Sequence, residues 1–396
     1  MNDGNRRIAS TTDLGRWNAE VVLERLYSRE PVTNAELARE TGLSRSTVER
    51  ALDLLVGQGM VSKSEPVALI SGRPAALYQL RPEFGYLLAL DVGAHTVRAR
   101  VDDLAGPGHS GAPTDAAGSE PEPVSVSPEE PADRRLQVLE RAADQALADA
   151  GITHRQVRAV TVATPGIVDP AGVITACRVI PARDWVGDRL RARVGERFPD
   201  AAVAVDNDAN LAVLAEQRFG VAGSTREVVA VFAGNRIGFG ILHGGNLHRG
   251  AHNQAGEAAN IRDSWWGRAN SWLRRHEGDA GRVFAEAEAG QSAAVAAVGE
   301  LAGLLGMAFA EVVHTIDPEL IVLGGAISVA GPTILDPVTE QFKRACRGTV
   351  APPLLLSTLG RRAVLLGAAE HARRLAFAHL LDEARPHLPN ATPRSR

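Results

Sequence analysis

Alternating strand-like and helix-like segments beyond residue 85 constrain the fold of this chain more than any other feature. The apolar runs that begin at Tyr86 and at Thr96 predict two strands, and the leucines that follow Asp133 have helical spacing. Further strands are predicted at 157–163, 202–205, 227–232, 237–242 and 320–323, and further helices at about 208–219, 293–315, 332–346 and 363–382. Strands and helices that alternate in this way build layers, so we expect an α/β protein.

The segment from Asp13 to about Gln79 has a different pattern, which predicts three helices followed by a hairpin. Thr33 and Glu36 have the spacing of a capping box at the start of a short helix, and Gly42 supplies the turn after it. A further helix follows that turn. This order of elements predicts a winged helix-turn-helix, and it also matches the winged modules of bacterial repressors.

The core of this module can be predicted from helical spacing. Ser44 caps the helix after the turn, and the apolar side chains of that helix, which should pack inward, are Val48, Ala51, Leu52 and Leu55. A preceding helix is expected to complete the core with Trp17, Val21, Leu23 and Leu26.

The other face of the helix after Gly42 is the candidate DNA-binding surface. Its side chains near the N-terminal end, where a recognition helix contacts bases and phosphates, are Arg45, Ser46, Thr47, Glu49 and Arg50. Arg73, in the Gly-Arg-Pro tip of the hairpin, is suited to the negative potential of a minor groove. We therefore predict a double-stranded DNA operator as partner. The alternative, a helical module that binds protein or nothing, draws support from the near cancellation of charges in this region.

Composition limits the classes of protein to which the chain can belong. Its formal net charge is -4 and its pI is about 6.3, so any DNA contact must come from a local patch. Two distant cysteines, Cys177 and Cys346, make neither a disulfide framework nor a four-thiolate zinc site. The N-terminus does not resemble a secretory signal, and acidic residues interrupt the most apolar stretch, 293–327. We expect a cytoplasmic protein with no membrane span.

These patterns divide the chain into regions. Residues 1–12 and 383–396 are predicted to be disordered tails, 13–82 the winged helix-turn-helix and 83–382 a sensor domain. Residues 106–131 are rich in Pro, Gly, Ser, Ala and Glu and lack apolar side chains, so we predict a mobile loop there.

Glycine turns and amides follow several of the predicted strands. A glycine turn directly after a strand lets backbone N–H groups face a phosphate, although an ordinary hairpin turn explains a single case equally well. Asn207, Asp208 and Asn210 lie together at the start of a helix, where amides beside a carboxylate suit sugar hydroxyls. The alternative is that Asp208 only caps the helix. The segments concerned are DVGAHT (91–96), ATPGIVDPAGVI (163–174), VDNDANLAVLAEQRFG (205–220), GNRIGFGILHGGNLHRGAHNQAGEAAN (234–260) and DPELIVLGGAIS (317–328).

Together these segments, in this order behind the helix-turn-helix, resemble the ROK family of repressors and sugar kinases. The resemblance implies an actin-like ATPase fold, with two α/β lobes and a cleft that binds sugar and nucleotide. It implies that Asp208 corresponds to the family's catalytic base and Glu257 to its sugar-binding glutamate. DVGAHT and GNRIGFG look like the two phosphate loops, which contain Gly93, Gly234 and Gly238. A homodimer or homotetramer is also implied.

Both phosphate loops depart from the family pattern. Ala94 and His95 occupy positions where the family kinases have glycine and threonine, and Asn235, Arg236 and Phe239 interrupt the second loop. A side chain blocks the close approach of backbone to phosphate, so we predict loop remnants, no kinase activity and a vestigial base. Arg236 could attract a different anion.

The family's zinc site is missing from the sequence. Asn260 replaces its histidine, and the downstream segment contains no cysteine, so we predict neither a metal nor another cofactor. We retain Asn207, Asp208, Glu257 and Asn260 as predicted ligand contacts. Packing by large apolar groups could order the segment instead, and the candidates are Trp265, Trp266 and Trp272.

Three functions remain after this reading. The first is a DNA-binding regulator, a repressor of carbohydrate-related genes, whose degenerate kinase-like domain senses a sugar or a related small molecule. The second is an active kinase that phosphorylates a hexose with ATP, because Asp208 is retained. The third is a regulator controlled by a protein partner, without a small-molecule ligand.

Overall fold

The N-terminal module contains three helices and a three-stranded sheet. The computed structural model describes residues 11–27, 30–66, 74–105 and 122–383. The helices are α1 (Thr11–Leu26), α2 (Asn34–Thr41) and α3 (Arg45–Gly57), and the strands are β1 (Val32–Thr33), β2 (Val61–Lys63) and β3 (Leu77–Leu80). Strand β3 lies between β1 and β2 and is antiparallel to both. The order of elements agrees with the winged helix-turn-helix predicted from sequence.

The capping residues define where the helices of the module begin and end. The side chains of Thr33 and Glu36 form the predicted capping box at the start of α2. Gly42 ends that helix in the left-handed conformation, with φ of 72°. Ser44 caps α3, and its hydroxyl accepts a hydrogen bond from the backbone N–H of Thr47 at 3.2 Å. These three predictions are confirmed.

The core of the module differs from the predicted core at one large residue. The inward face of α3 is buried as expected, and Leu23 and Leu26 of α1 are buried too. Trp17, however, is 54% exposed, and Val21 is only half-buried. The buried stripe of α1 is Ala19, Val22, Leu23 and Leu26. Trp17 is two residues from Ala19, about 200° around the helix, and so lies off this stripe.

The first lobe is built on a five-stranded sheet. The strands of this lobe are β4 (Tyr86–Val92), β5 (Thr96–Asp103), β6 (Val124–Ser125), β7 (Val157–Thr164), β8 (Ile167–Val168), β9 (Ile174–Ala176) and β10 (Ala202–Asn207). The helices of the lobe are α4 (Ala132–Asp149) and α5 (Arg189–Arg197). The sheet order is β10-β7-β4-β5-β6, and β8 and β9 form a separate pair. Strands β4, β7 and β10 are parallel, while β5 is antiparallel to β4.

The prediction of a mobile loop at residues 106–131 is wrong for the C-terminal part of that segment. Residues 106–121 of the loop lie outside the described residues, but residues 122–131 have a defined structure. Strand β6 pairs with β5, with Ser125 opposite Thr96. The carbonyl of Ser127 accepts a hydrogen bond of 2.6 Å from buried Arg135. Strand pairing and this hydrogen bond supply the order that local composition does not predict. The two predicted tails fall mostly outside the described residues.

The second lobe repeats the arrangement of a mixed five-stranded sheet. Its strands are β11 (Val228–Ala233), β12 (Ile237–His243), β13 (Asn246–Leu247), β14 (Leu320–Gly324) and β15 (Leu354–Leu356), and the remaining helices are α6 (Asp208–Phe219), α7 (Trp265–Arg275), α8 (Ala280–Glu288), α9 (Ser292–Ile316), α10 (Pro332–Ala345) and α11 (Ala363–Glu383). The sheet order is β13-β12-β11-β14-β15. Helices α6 and α11 pack against each other and contact both sheets. This pair of helices joins the two lobes.

Helix α9 is long and apolar enough, by length and composition, to cross a membrane. The fold accounts for its apolar character, because Leu301, Leu305 and Phe309 are completely buried. They belong to the core of the second lobe, where α9 packs on α7, α8 and α10. Helix α9 is therefore the central helix of a protein core.

Candidate DNA-binding surface and ligand cleft

The first turn of α3 presents polar side chains to solvent. Arg45, Ser46, Glu49 and Arg50 are exposed, whereas Thr47 is half-buried. The hydroxyl of Thr47 lies 2.8 Å from that of Ser44, so Thr47 takes part in the cap. The guanidinium of Arg50 donates from Nε to the carbonyl of Ser46 at 3.3 Å and remains exposed. The arginines therefore lie at the accessible N-terminal end of the helix, as a DNA-reading helix requires.

The hairpin that follows α3 has the pairing of a wing stem. Val61 lies opposite Leu80 and Lys63 opposite Tyr78, and the ammonium group of Lys63 lies 5.6 Å from the centroid of the Tyr78 ring. Arg73, predicted to contact a minor groove, lies outside the described residues. Its role stays a prediction.

The ligand cleft is organised by the turn from β10 into α6. The side-chain oxygen of Asn207 accepts hydrogen bonds from the backbone N–H groups of Ala209 at 2.9 Å and Asn210 at 3.1 Å. Its amide nitrogen donates to the carbonyl of Gly166 at 2.9 Å. Asn207 thus caps α6 and ties it to the first lobe. Its predicted contact with a ligand stays a prediction.

Asp208 is the first residue of α6 and faces other carboxylates. Burial, together with the charge of Asp91 and more weakly that of Glu257, raises the pKa of Asp208 to about 6, although the backbone N–H of Ala209 donates to it at 2.8 Å. A carboxyl group that titrates near neutral pH can accept a hydrogen bond or a proton from a hydroxyl group. The alternative that Asp208 only caps the helix is wrong, because Asn207 is the N-cap of α6 and Asp208 is its first helical residue.

Glu257 and Asn260 lie at the two ends of one short helix, Glu257–Asn260. The amide of Asn260 donates to the carboxylate of Glu257, yet burial raises the pKa of Glu257. Arg178, which follows β9, donates to the carbonyl of Asn260 at 3.4 Å. The cleft therefore brings Asp208 and Glu257 close enough for their charges to interact, while Asn260 contacts Glu257 directly.

The first loop is held by two arginines that the sequence analysis did not select. Arg98 of β5 donates two hydrogen bonds to Asp91. Arg135 of α4, completely buried, donates to the carbonyls of Gly93 at 2.6 Å and Ala94 at 3.2 Å. Gly93 itself donates to the carbonyl of Thr96 at 2.9 Å. An arginine within an apolar strand, such as Arg98, is the sequence signal that could have identified the first of these contacts.

The second loop is a tight turn between β11 and β12. Gly234 donates to the carbonyl of Arg236 at 3.0 Å, and Arg236 donates to the carbonyl of Asn235 at 2.9 Å. A Cβ atom on Gly238 would lie 2.9 Å from the Cβ of Ala209. The close approach of α6 therefore explains why a glycine occupies position 238 without any phosphate.

A carboxylate lies between the two loops. Glu277, between α7 and α8, is 3.3 Å from His95 of the first loop and 3.6 Å from Arg236 of the second. All three side chains are partly exposed. A negatively charged group of the protein thus lies between the two loops, within ion-pair distance of both.

Beside the second loop, the second lobe contains an open cavity of about 1070 Å³. Its lining is mainly apolar and comes from α8, α9 and α10, and includes Phe284, Val298, Ile327, Pro332 and Arg361. This cavity has room for a small molecule, but Asn207, Asp208, Glu257 and Asn260 are not among its lining residues.

Aromatic side chains pack the segment around α7 into the core of the second lobe. Trp266 and Trp272 are buried, and Trp265 is half-buried. The Trp266 ring packs edge-on against Phe239 at 4.4 Å and against Phe309 at 5.4 Å between centroids. Packing by these tryptophans is confirmed.

Known protein families match both the N-terminal module and the two lobes. A model described as the ROK family matches residues 89–269 and 263–374, and a model of the IclR helix-turn-helix domain matches residues 22–65. The xylose repressor of Caldicellulosiruptor bescii is 22% identical to this chain and covers 90% of it and 95% of its own length. The glucokinase of Streptomyces coelicolor is 30% identical over 49% of this chain and 74% of its own.

Solved structures have the same fold. A ROK family transcriptional regulator, a homologue of the E. coli MLC protein, is 20% identical, with a TM-score of 0.69 over 94% of this chain and 99% of its own. A ROK family glucokinase from Streptomyces griseus, in complex with glucose and AMPPNP, is 25% identical, with a TM-score of 0.58 over 73% of this chain and all of its own. The expected fold, two actin-like lobes behind a helix-turn-helix, is confirmed. This chain is a member of the ROK family.

Proposed function

We propose that this chain is a transcriptional repressor that binds operator DNA through α3 and responds to a sugar bound in the cleft. The observation that carries the proposal is the exposed N-terminal end of α3, with Arg45 and Arg50 at its surface, in a module that matches a helix-turn-helix domain. Relatives over nearly the whole chain are xylose repressors. Two copies of the chain would place two such helices on operator half-sites.

The sugar site of the proposal lies between Asp208, Glu257 and Asn260. Carboxylates and an amide in a half-buried cleft can accept and donate hydrogen bonds to neighbouring hydroxyl groups. The negative charges of Asp91 and Glu257 act on Asp208, and they favour a neutral sugar over an anionic one at this position. Ligand affinity must differ between the DNA-binding state and the released state, because only a difference can shift the equilibrium.

We also propose that the cleft does not transfer phosphate. The side chains of His95 and Arg236 interrupt the loops and hinder the close approach of backbone to phosphate. Glu277 supplies a negative charge between the loops that opposes a triphosphate.

A hexose kinase is the second candidate, favoured by one observation. The pKa of Asp208, raised to about 6, is close to that of an efficient general base at neutral pH, and glucokinases are among the relatives. ATP turnover with a panel of hexoses and amino sugars distinguishes the two candidates. Turnover that Asp208→Asn abolishes would establish the kinase.

Operator binding with and without sugar tests the repressor. We expect the purified protein to bind a duplex from the region upstream of its own coding sequence and to bind it more weakly with one member of a sugar panel headed by D-xylose. Calorimetry gives the sugar affinity independently. Normal operator binding without heat from any sugar would support control by a protein partner instead.

A further inference from the structure

The DNA-binding module shares its hydrophobic core with α11, the last helix of the described residues. Leu23, Leu26 and Leu52 of the module belong to one buried cluster with Phe377 and Leu380 of α11. The same α11 packs on β4 and β7 of the first lobe and on α6. Helix α11 is therefore in contact with the module, the first lobe and the helix that begins at Asp208.

A buried arginine lies at this junction. The guanidinium of Arg373 is 1% exposed and donates to Glu370 of the same helix at 2.8 Å and 2.7 Å, and to Glu24 of α1 at 2.7 Å. It also lies 4.6 Å from the centroid of the Tyr27 ring, at the end of α1. Such multiple contacts fix the orientation of the planar guanidinium more than a single ion pair would.

Further contacts lead from this arginine to α6. Glu370, completely buried, also accepts a hydrogen bond from Arg374 at 2.7 Å. Arg374 in turn donates to the side chain of Gln217 near the end of α6 at 3.3 Å. Arg218, the next residue of α6, lies 4.9 Å from the centroid of the same Tyr27 ring. Two arginines from two different helices thus hold Tyr27 of the DNA-binding module.

Backbone contact makes α6 and α11 a single rigid unit. A Cβ atom on Gly367 of α11 would overlap the carbonyl oxygen of Leu211 in α6. The segment before α11 also reaches the cleft, since the carbonyl of Arg361 accepts a hydrogen bond of 3.0 Å from Arg98. One end of the unit, which contains Asp208 and leads back to Arg361, is therefore near the cleft. The other end, with Gln217 and Arg373, is near the DNA-binding module.

We propose that the α6–α11 pair couples the cleft to the DNA-binding module, and that Arg373 and Glu24 are the positioning residues that transmit its movement to α1. This inference rests on the proposed function, because it names how occupancy of the cleft reaches the DNA. Because Glu24 is partly exposed, its ion pair with Arg373 adds little stability, and the property that matters here is the charge-assisted hydrogen bond that holds α1 on α11. Coupling is reciprocal, so operator binding must also change α6.

Glu24→Gln tests the relay, since Glu24 is 38% exposed and its replacement leaves the core intact. Glu20→Gln, an exposed glutamate of the same helix, is the matched control. Hydrogen exchange of the α6 amides is measured with and without the upstream duplex. In the wild type and in Glu20→Gln we expect the duplex to change exchange in α6 at least about three-fold, and in Glu24→Gln we expect this change to disappear while α9 exchange stays the same. Either an unresponsive α6 in the wild type or a full response in Glu24→Gln would overturn the relay.

A second measurement, with sugar, separates a failure of the relay from a failure of the proposed function. The ratio of operator Kd values with and without D-xylose should be about ten in the wild type and below about three in Glu24→Gln, with unchanged sugar affinity. No sugar binding in either protein would contradict sugar sensing, and the relay is then decided by the duplex alone. Equal ratios in both proteins would overturn the relay while leaving the repressor function in place.

Discussion

Arg98 donates to Asp91 at 3.1 Å and 2.6 Å within the first lobe, and to the carbonyl of Arg361 at 3.0 Å across to the segment that leads into α11. Both members of the ion pair are nearly buried, with 12% and 8% of their side chains exposed. The positively charged side chain of Arg98 therefore lies beside Asp91, the residue with which the first loop begins.

Arg98→Ala should lower the free energy of unfolding by about 3 kcal/mol, because it removes the cation that balances a buried carboxylate. Adding Asp91→Asn should recover much of this loss, because the carboxylate then disappears too. Urea denaturation of the single and double variants measures both effects. Arg193→Ala, which breaks an exposed pair with Glu140, serves as the control and should be nearly neutral. An Arg98→Ala variant no less stable than this control would contradict the pairing.

Replacing the arginines of α3 should weaken operator binding without affecting the fold. We expect Arg45→Ala and Arg50→Ala each to cost about 1 to 3 kcal/mol in binding free energy if the arginine contacts a base, and a smaller salt dependence if it contacts a phosphate. Titration of the upstream duplex at two salt concentrations distinguishes these contacts. Arg155→Ala, an exposed arginine of the first lobe, is the control. Unchanged affinity in both α3 variants would show that another element reads the DNA.

Asp208 should make the stability of the protein depend on pH near neutrality. Its pKa is raised to about 6 in the folded state, so folding favours its protonated form and the wild type gains stability as pH falls through 6. Asp208→Asn should therefore be more stable than the wild type at pH 8, by about 1 to 3 kcal/mol, and the difference should shrink by pH 5. Denaturation at both pH values, with Asp200→Asn as an exposed control, measures this. A stability difference that does not vary with pH would contradict the raised pKa.

Alanine substitutions at two glycines of the helix-turn-helix distinguish the free-energy cost of backbone strain from the gain in helix propensity. Gly42 has φ of 72° with open space around it, so Gly42→Ala should cost about 1 kcal/mol through strain alone. Gly57 ends α3 without a positive φ and also has open space, so Gly57→Ala should be neutral or stabilising by up to about 1 kcal/mol. Thermal unfolding compares the two. Equal effects would mean that the turn after α2 relaxes around the new side chain.

Local patterns predicted the features of this fold that are themselves local. The capping residues Thr33 and Ser44 and the long helices and strands beyond residue 85 follow from spacing within one element. The contacts of Arg135 with the first loop and of Arg373 with Glu24 could not be predicted, because these partners come from other elements. The misplacement of Trp17 has a similar origin, because helical spacing alone does not decide which face of α1 is buried, and only the packing of α1 on its neighbours does.

Only part of the candidate site could be predicted from the sequence, again because the rest depends on contacts between distant elements. The grouping of Asn207 and Asp208 at a helix start is visible in the sequence, and so is the interruption of the loops. The position of Glu277 between His95 and Arg236 depends on how the lobes approach each other, and no spacing along the chain encodes that distance.

The shared cluster of α1, α3 and α11 has a consequence for synthesis and for engineering. The helix-turn-helix precedes α11 in the sequence, so on the ribosome it emerges well before the side chains of Phe377 and Leu380 that cover its inner surface. An apolar surface of the nascent module stays uncovered until α11 has been translated. A chimaera that transplants this module onto another sensor would need to carry the C-terminal helix with it.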